Sequence, residues 1–114
     1  MDKTQITDIK TEKTDVITLY LAGDVDIATQ ACREFCFNEG LCVTVTKTNF
    51  VYTGGAEGGV AVGLLNYPRF PSTEDELRAT AHDLAFFLME RLVQHSVLVV
   101  GPKQSIWMTR REHE

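Results

Sequence analysis

The chain has little of what would mark a membrane protein, a disulfide framework or a nucleic-acid binder. No apolar run approaches the roughly 20 residues a helix needs to cross a bilayer. The opening stretch, MDKTQITDIKTEKTD, lacks the apolar core of a signal peptide, so a cytoplasmic protein with no membrane partner is expected. Cysteine is sparse: Cys32, Cys36 and Cys42 form an odd set with no CxxC pair, which fits reduced thiols better than disulfides. Basic charge is also short. Eleven Lys and Arg against 16 Asp and Glu leave a formal charge of -5, whereas affinity for phosphates draws on a basic face. No nucleic-acid partner is expected, and Arg110 and Arg111, beside Glu112 and Glu114, read as a solvated tail.

What is present is enough for one core. A chain of 114 residues with 44% hydrophobic content can bury a core without staples. Residues 1–14 are polar and aperiodic and are expected to form a flexible tail. Residues 15–111 are expected to form a single domain, and 112–114 a short C-terminal tail. The run VITLYLA (16–22) alternates as a strand does. Gly23-Asp24 then supplies a break and an N-cap, and Val25, Ala28, Cys32 and Phe35 recur at helical spacing as far as Gly40, a good residue just past a helix end. From Leu41 to Tyr52 Val alternates with Thr, predicting a strand with one buried and one polar face. Val60 to Asn66 follows as its hairpin partner, across a glycine-rich turn at 53–59. Pro68 and Pro71 end the hairpin, Ser72 and Asp75 resemble a capping box, and Leu77, Ala81, Leu84, Leu88 and Leu92 predict a second helix reaching Gln94-His95. Val97–Val100 and Ile106–Thr109 are short strands about the turn Gly101-Pro102-Lys103-Gln104.

The predicted order is β-α-β-β-α-β plus a short C-terminal strand, the split β-α-β sandwich called ferredoxin-like, an α+β fold with two helices on one face of a largely antiparallel sheet. The element order and length resemble those of small oligomeric ferredoxin-like proteins such as the CutA proteins. That resemblance is one of topology and carries no residue with it.

The stretch Asn49 to Pro71 is the best candidate for function. Tyr52, Gly54, Gly55, Glu57, Asn66, Tyr67 and Arg69 offer flexible backbone and polar ends that are expected to converge on one binding site. Arg69 can grip a carboxylate or phosphate while Tyr67 supplies an apolar wall, so a small acidic ligand or a protein partner is expected. The glycines precede a strand rather than a helix and lack a Lys-Ser/Thr ending, which excludes a Walker loop. Tyr20, Thr44 and Thr46 on the uncovered sheet face, or the edge that carries Trp107, are expected at an oligomer interface, with core packing the other reading of Trp107. Cys32 and Cys36 lie one helical turn apart, but His82, His95 and His113 fall on other segments. The cysteines therefore read as small buried hydrophobes, with no metal and no cofactor expected. The leading functional reading is a non-catalytic module that binds a small ligand or protein partner and self-associates. The alternative is a small cofactor-free isomerase, hydrolase or lyase acting on an organic acid, with Arg69 orienting the substrate.

Overall fold

The structure is a computed structural model that describes residues 5–111. The tail expected at 112–114 and the first four residues of the N-terminal one lie outside the described residues. Seven elements follow in order: β1 (Val16–Ala22), α1 (Val25–Glu39), β2 (Val43–Tyr52), β3 (Gly55–Leu65), α2 (Glu74–Arg91), β4 (Ser96–Val100) and β5 (Ser105–Thr109). The strands form one sheet in the order β2-β3-β1-β4-β5, antiparallel at every pairing. This is the ferredoxin-like arrangement with β5 added outside β4. No described helix is long and apolar enough to cross a bilayer.

Both helices cover the same face. Ile17, Leu19 and Leu21 of β1, Val60, Val62 and Leu64 of β3, and Val97 and Val99 of β4 point at Ala28, Ala31, Leu84 and Leu88, and all are buried. Period-2 burial in the strands meets period-3.6 burial in the helices, which places the core between the layers.

Local chemistry sets the boundaries. The N–H groups of Asp26 and Ile27 donate to Asp24 Oδ2 at 3.0 Å each, and Gly40 ends α1 in the left-handed region at φ 66. For α2 the capping box falls one residue later than expected. Glu76 N–H donates to Thr73 Oγ1 at 3.1 Å and Thr73 N–H to Glu76 Oε1 at 2.9 Å. The longer Glu side chain makes the return bond that Asp75 is too short to make from a Ser72 cap, while Ser72 N–H is taken by Asn66. α2 also stops short of Gln94-His95, at Arg91. Gln94 N–H there reaches back to the Met89 carbonyl across Val93, which takes the left-handed conformation at φ 54.

Thr73→Ala is expected to cost about 1 kcal/mol, as loss of a helix cap does, read from urea unfolding. The Thr73 backbone N–H, and then its hydroxyl, hold the Glu76 carboxyl below its ordinary 4.5. A lowered folded value stabilises the protein above the unfolded value, so this contribution is complete above pH 4.5 and fades as pH falls below it. The decline should be shallower in Thr73→Ala.

The glycine-rich segment departs from expectation. The hairpin turn is only Thr53-Gly54, closed by the Tyr52–Gly55 pair, with Gly54 at φ 86. Gly55, Gly58 and Gly59 lie inside β3. A Cβ on Gly59 would stand 2.3 Å from the Phe50 ring and 2.6 Å from the Leu21 carbonyl, so that glycine admits a cross-strand aromatic ring rather than a flexible loop.

Candidate functional site

In an antiparallel sheet residues paired across strands share a face, and the register therefore defines the side the helices leave open. One row runs Thr46, Ala61, Tyr20, Leu98, Trp107 across all five strands. Neighbouring rows add Thr44 with Gly63, Thr48 with Gly59, and Phe50 with Glu57. Tyr20, Thr44 and Thr46, expected on the open face, share it, and Trp107, which the sequence left between core and interface, lies on it too. Trp107 is 63% exposed, a large apolar surface left to solvent.

On β3 the Phe50 ring lies over Gly59 and the Thr44 hydroxyl over Gly63. Beside them on this face, toward β4 and β5, is a shallow concavity of about 200 Å³ lined by Tyr20, Phe50, Glu57, Leu98, Trp107 and Arg111. Three aromatic rings supply faces for stacking a planar heterocycle or meeting a cation. Glu57 supplies acceptors for ligand O–H or N–H groups, and the Trp107 indole a donor.

The polar residues of Asn49–Pro71 do not converge as expected. Tyr52, Gly54, Gly55 and Glu57 sit at the hairpin end of β3, and Asn66, Tyr67 and Arg69 beyond its other end. At about 3.3 Å per residue the two groups lie roughly 25 Å or more apart. Tyr52 lies over Gly55, whose Cβ would meet its ring at 3.0 Å. Asn66 is fully engaged as a clip: its amide donates to the Lys13 carbonyl at 2.9 Å, its side-chain oxygen accepts from Ser72 N–H at 2.8 Å, and its own N–H donates to the Asp15 carbonyl at 2.8 Å. Tyr67 stacks on Phe70 with ring centroids 4.8 Å apart, stiffening the connector, and Arg69 is exposed on that turn. Only Glu57 of the seven lines the open-face concavity.

Two further expectations change. Arg110 is not a free tail residue, since its guanidinium bonds Glu90 and donates to the Gln94 carbonyl at 2.7 Å, fastening β5 to the end of α2. His95 does not close α2; its carbonyl accepts from Arg110 N–H at 2.7 Å. The sequence reasoning missed Phe50 and Leu98. Phe50 keeps the parity of Thr44, Thr46 and Thr48, so extending the alternation by two residues finds it.

Among the described residues, no three His, Cys, Asp or Glu side chains are grouped as a metal site would require. Burial, and secondarily Cys36, pushes the Cys32 thiol up to about 12, and burial followed by Cys42 raises that of Cys36. Thiolate, not thiol, is the reactive form. Iodoacetamide near pH 8 should therefore label exposed Cys42 first, Cys36 more slowly and Cys32 only on unfolding, as peptide mass spectrometry would record.

No protein-family profile matches the chain, and no curated protein matches it. Two solved structures do. One is a phage SAM lyase in the apo state, 15% identical over 88% of this chain and 92% of that one, with a TM-score of 0.71. The other is a phage SAM lyase in complex with S-methyl-5′-thioadenosine, 13% identical over 96% of this chain and all (100%) of that one, with a TM-score of 0.74. At such identity the likeness is one of fold.

Proposed function

We propose that the protein binds S-adenosylmethionine on the open sheet face and cleaves it as a lyase, releasing S-methyl-5′-thioadenosine. The observation that carries this reading is Glu57 in one open-face concavity with Tyr20, Phe50 and Trp107. Its support from outside the chain is a fold matched over 96% of its length by a phage SAM lyase in complex with that thioether.

The chemistry suits the surface. The bond between the sulfonium sulfur and the four-carbon amino-acid chain breaks, and its electron pair stays on sulfur, which leaves as a neutral thioether. The carbon fragment either loses a proton to water to form an alkene or closes onto its own carboxylate oxygen. Charge at sulfur disappears along this path, so aromatic, poorly hydrated walls favour the transition state over the solvated ion. The rings hold the adenine. Glu57 acts best away from sulfur, accepting from ribose hydroxyls, because a carboxylate against the cation would stabilise the ground state more than the transition state.

A concavity this shallow exposes a ligand to water. We infer that a second copy of the chain covers it, because the exposed Trp107 and the Thr row lie on the same face. Thr44→Lys with Thr46→Lys should then give a folded monomer by sedimentation, with weakened ligand binding; unchanged assembly counts against the cover.

The direct test is incubation with S-adenosylmethionine and chromatography for the thioether. Turnover abolished by Trp107→Ala supports the lyase. Saturable binding at Glu57 without turnover would return the protein to the non-catalytic, ligand-binding reading. No binding at this face would end both.

A further inference from the structure

A second cleft lies on the opposite, helix-covered side of the sheet, where α2 fails to reach over β5. It measures about 320 Å³, at the small end of ligand pockets. Its apolar floor is Ile17, Val99 and Ile106. Asp15 and His82 stand in its wall, and Arg78 and Lys103 at its rim.

Two polar atoms here are orphaned. Asp15 is only 8% exposed, yet its Oδ1 has no hydrogen-bond partner among the described residues, and neither has Nε2 of half-buried His82. Buried polar atoms are nearly always satisfied, so each such atom calls for an explanation. A carboxylate oxygen accepts only, and a neutral imidazole with its proton on Nδ1 also accepts at Nε2. In that tautomer a ligand N–H donor satisfies either atom.

The rim calls for the opposite charge. Arg78 is shared between Glu74 at 3.3 Å and Asp75 at 3.1 Å along the helix surface, and Lys103 reaches Glu74 only at 3.9 Å from an exposed side chain. Lys103 can therefore turn to a ligand at small cost, and Arg78 can add a third oxygen to the two it holds. Asp15 and Glu74 balance Arg78 and Lys103 among the lining residues, so a ligand carrying both charges leaves the cleft neutral.

We propose that this cleft binds a small aliphatic α-amino acid. The ammonium group donates to Asp15 Oδ1 and His82 Nε2, the carboxylate faces Lys103 and Arg78, and the side chain lies on Ile17, Val99 and Ile106. Because the site is on the other side of the sheet from Glu57, it does not depend on the lyase reading.

The test is a two-dimensional amide NMR titration with L-leucine, beside 3-methylbutylamine, which lacks the carboxylate, and 4-methylpentanoate, which lacks the ammonium. The expected result is saturable shifts in Ile17, Val99, Gly101, Lys103 and Gln104, at least tenfold weaker binding of either one-ended analogue, and at least tenfold weaker L-leucine binding by Asp15→Asn. Should Asp15→Asn fail to fold, Lys103→Glu on the exposed rim carries the test and should weaken binding severalfold. Glu57→Gln should leave all of this unchanged. No saturable shift from L-leucine, L-valine or L-methionine at tens of millimolar, equal binding of the one-ended analogues, or an unaltered affinity in the folded variants would overturn the proposal.

Discussion

Glu57→Gln is expected to weaken binding of S-methyl-5′-thioadenosine by roughly 10- to 100-fold, the range for losing hydrogen bonds to a charged acceptor. The substitution keeps the size of the side chain and replaces one acceptor oxygen by an amide that donates. The carboxylate on the open face lines the concavity with Tyr20 and Trp107, so the loss should fall on ligand affinity. Stability should hardly change, because Glu57 is exposed and exposed substitutions usually stay within about 0.5 kcal/mol. Calorimetric titration against urea unfolding separates the two. A variant that unfolds more easily but binds as before would put Glu57 in the scaffold and not in the site.

Leu84→Ala is expected to have the largest effect on stability, a loss of about 2–5 kcal/mol. Leu84 is fully buried (0% exposed) in α2, within the cluster that joins that helix to β1, β4 and α1. Truncation removes apolar contact and leaves a cavity that the neighbouring strands, fixed by their ladders, cannot close. The contrast is Phe86→Ala two residues on, which removes a larger side chain that is already 54% exposed and should cost under about 1 kcal/mol. Urea midpoints for the pair measure how sharply one face of α2 carries the core. Equal losses would contradict the packing described.

The architecture was legible because each element states its own period. VITLYLA alternates, the second helix spaces Leu77, Ala81, Leu84 and Leu88 by four, three and four, and Asp24 and Gly40 mark the ends of α1 where the caps form. The full length of β3 was hidden because Gly55, Gly58 and Gly59 have the composition of a turn; the ladder to β2, with Phe50 packed over Gly59, shows that they belong to a strand. The site was half legible. Alternation assigned Tyr20, Thr44 and Thr46 to one face, since parity is local information, and left Trp107 between core and interface. Proximity along the chain misled for Asn66, Tyr67 and Arg69, because an extended strand carries residues about 3.3 Å apart at every step. Asp15 gave no signal at all. A single acid before a strand has no period, and its burial arises from α2 and the β4–β5 turn closing over it.

The most direct measurement of the central claim is the fluorescence of Trp107, the single tryptophan of the chain, during titration with S-methyl-5′-thioadenosine. A purine stacked among Tyr20, Phe50 and Trp107 should quench or shift the emission saturably, and Glu57→Gln should move the midpoint to at least tenfold higher ligand. An emission spectrum indifferent to the ligand, or a midpoint that Glu57→Gln leaves in place, would contradict a binding site on the open face.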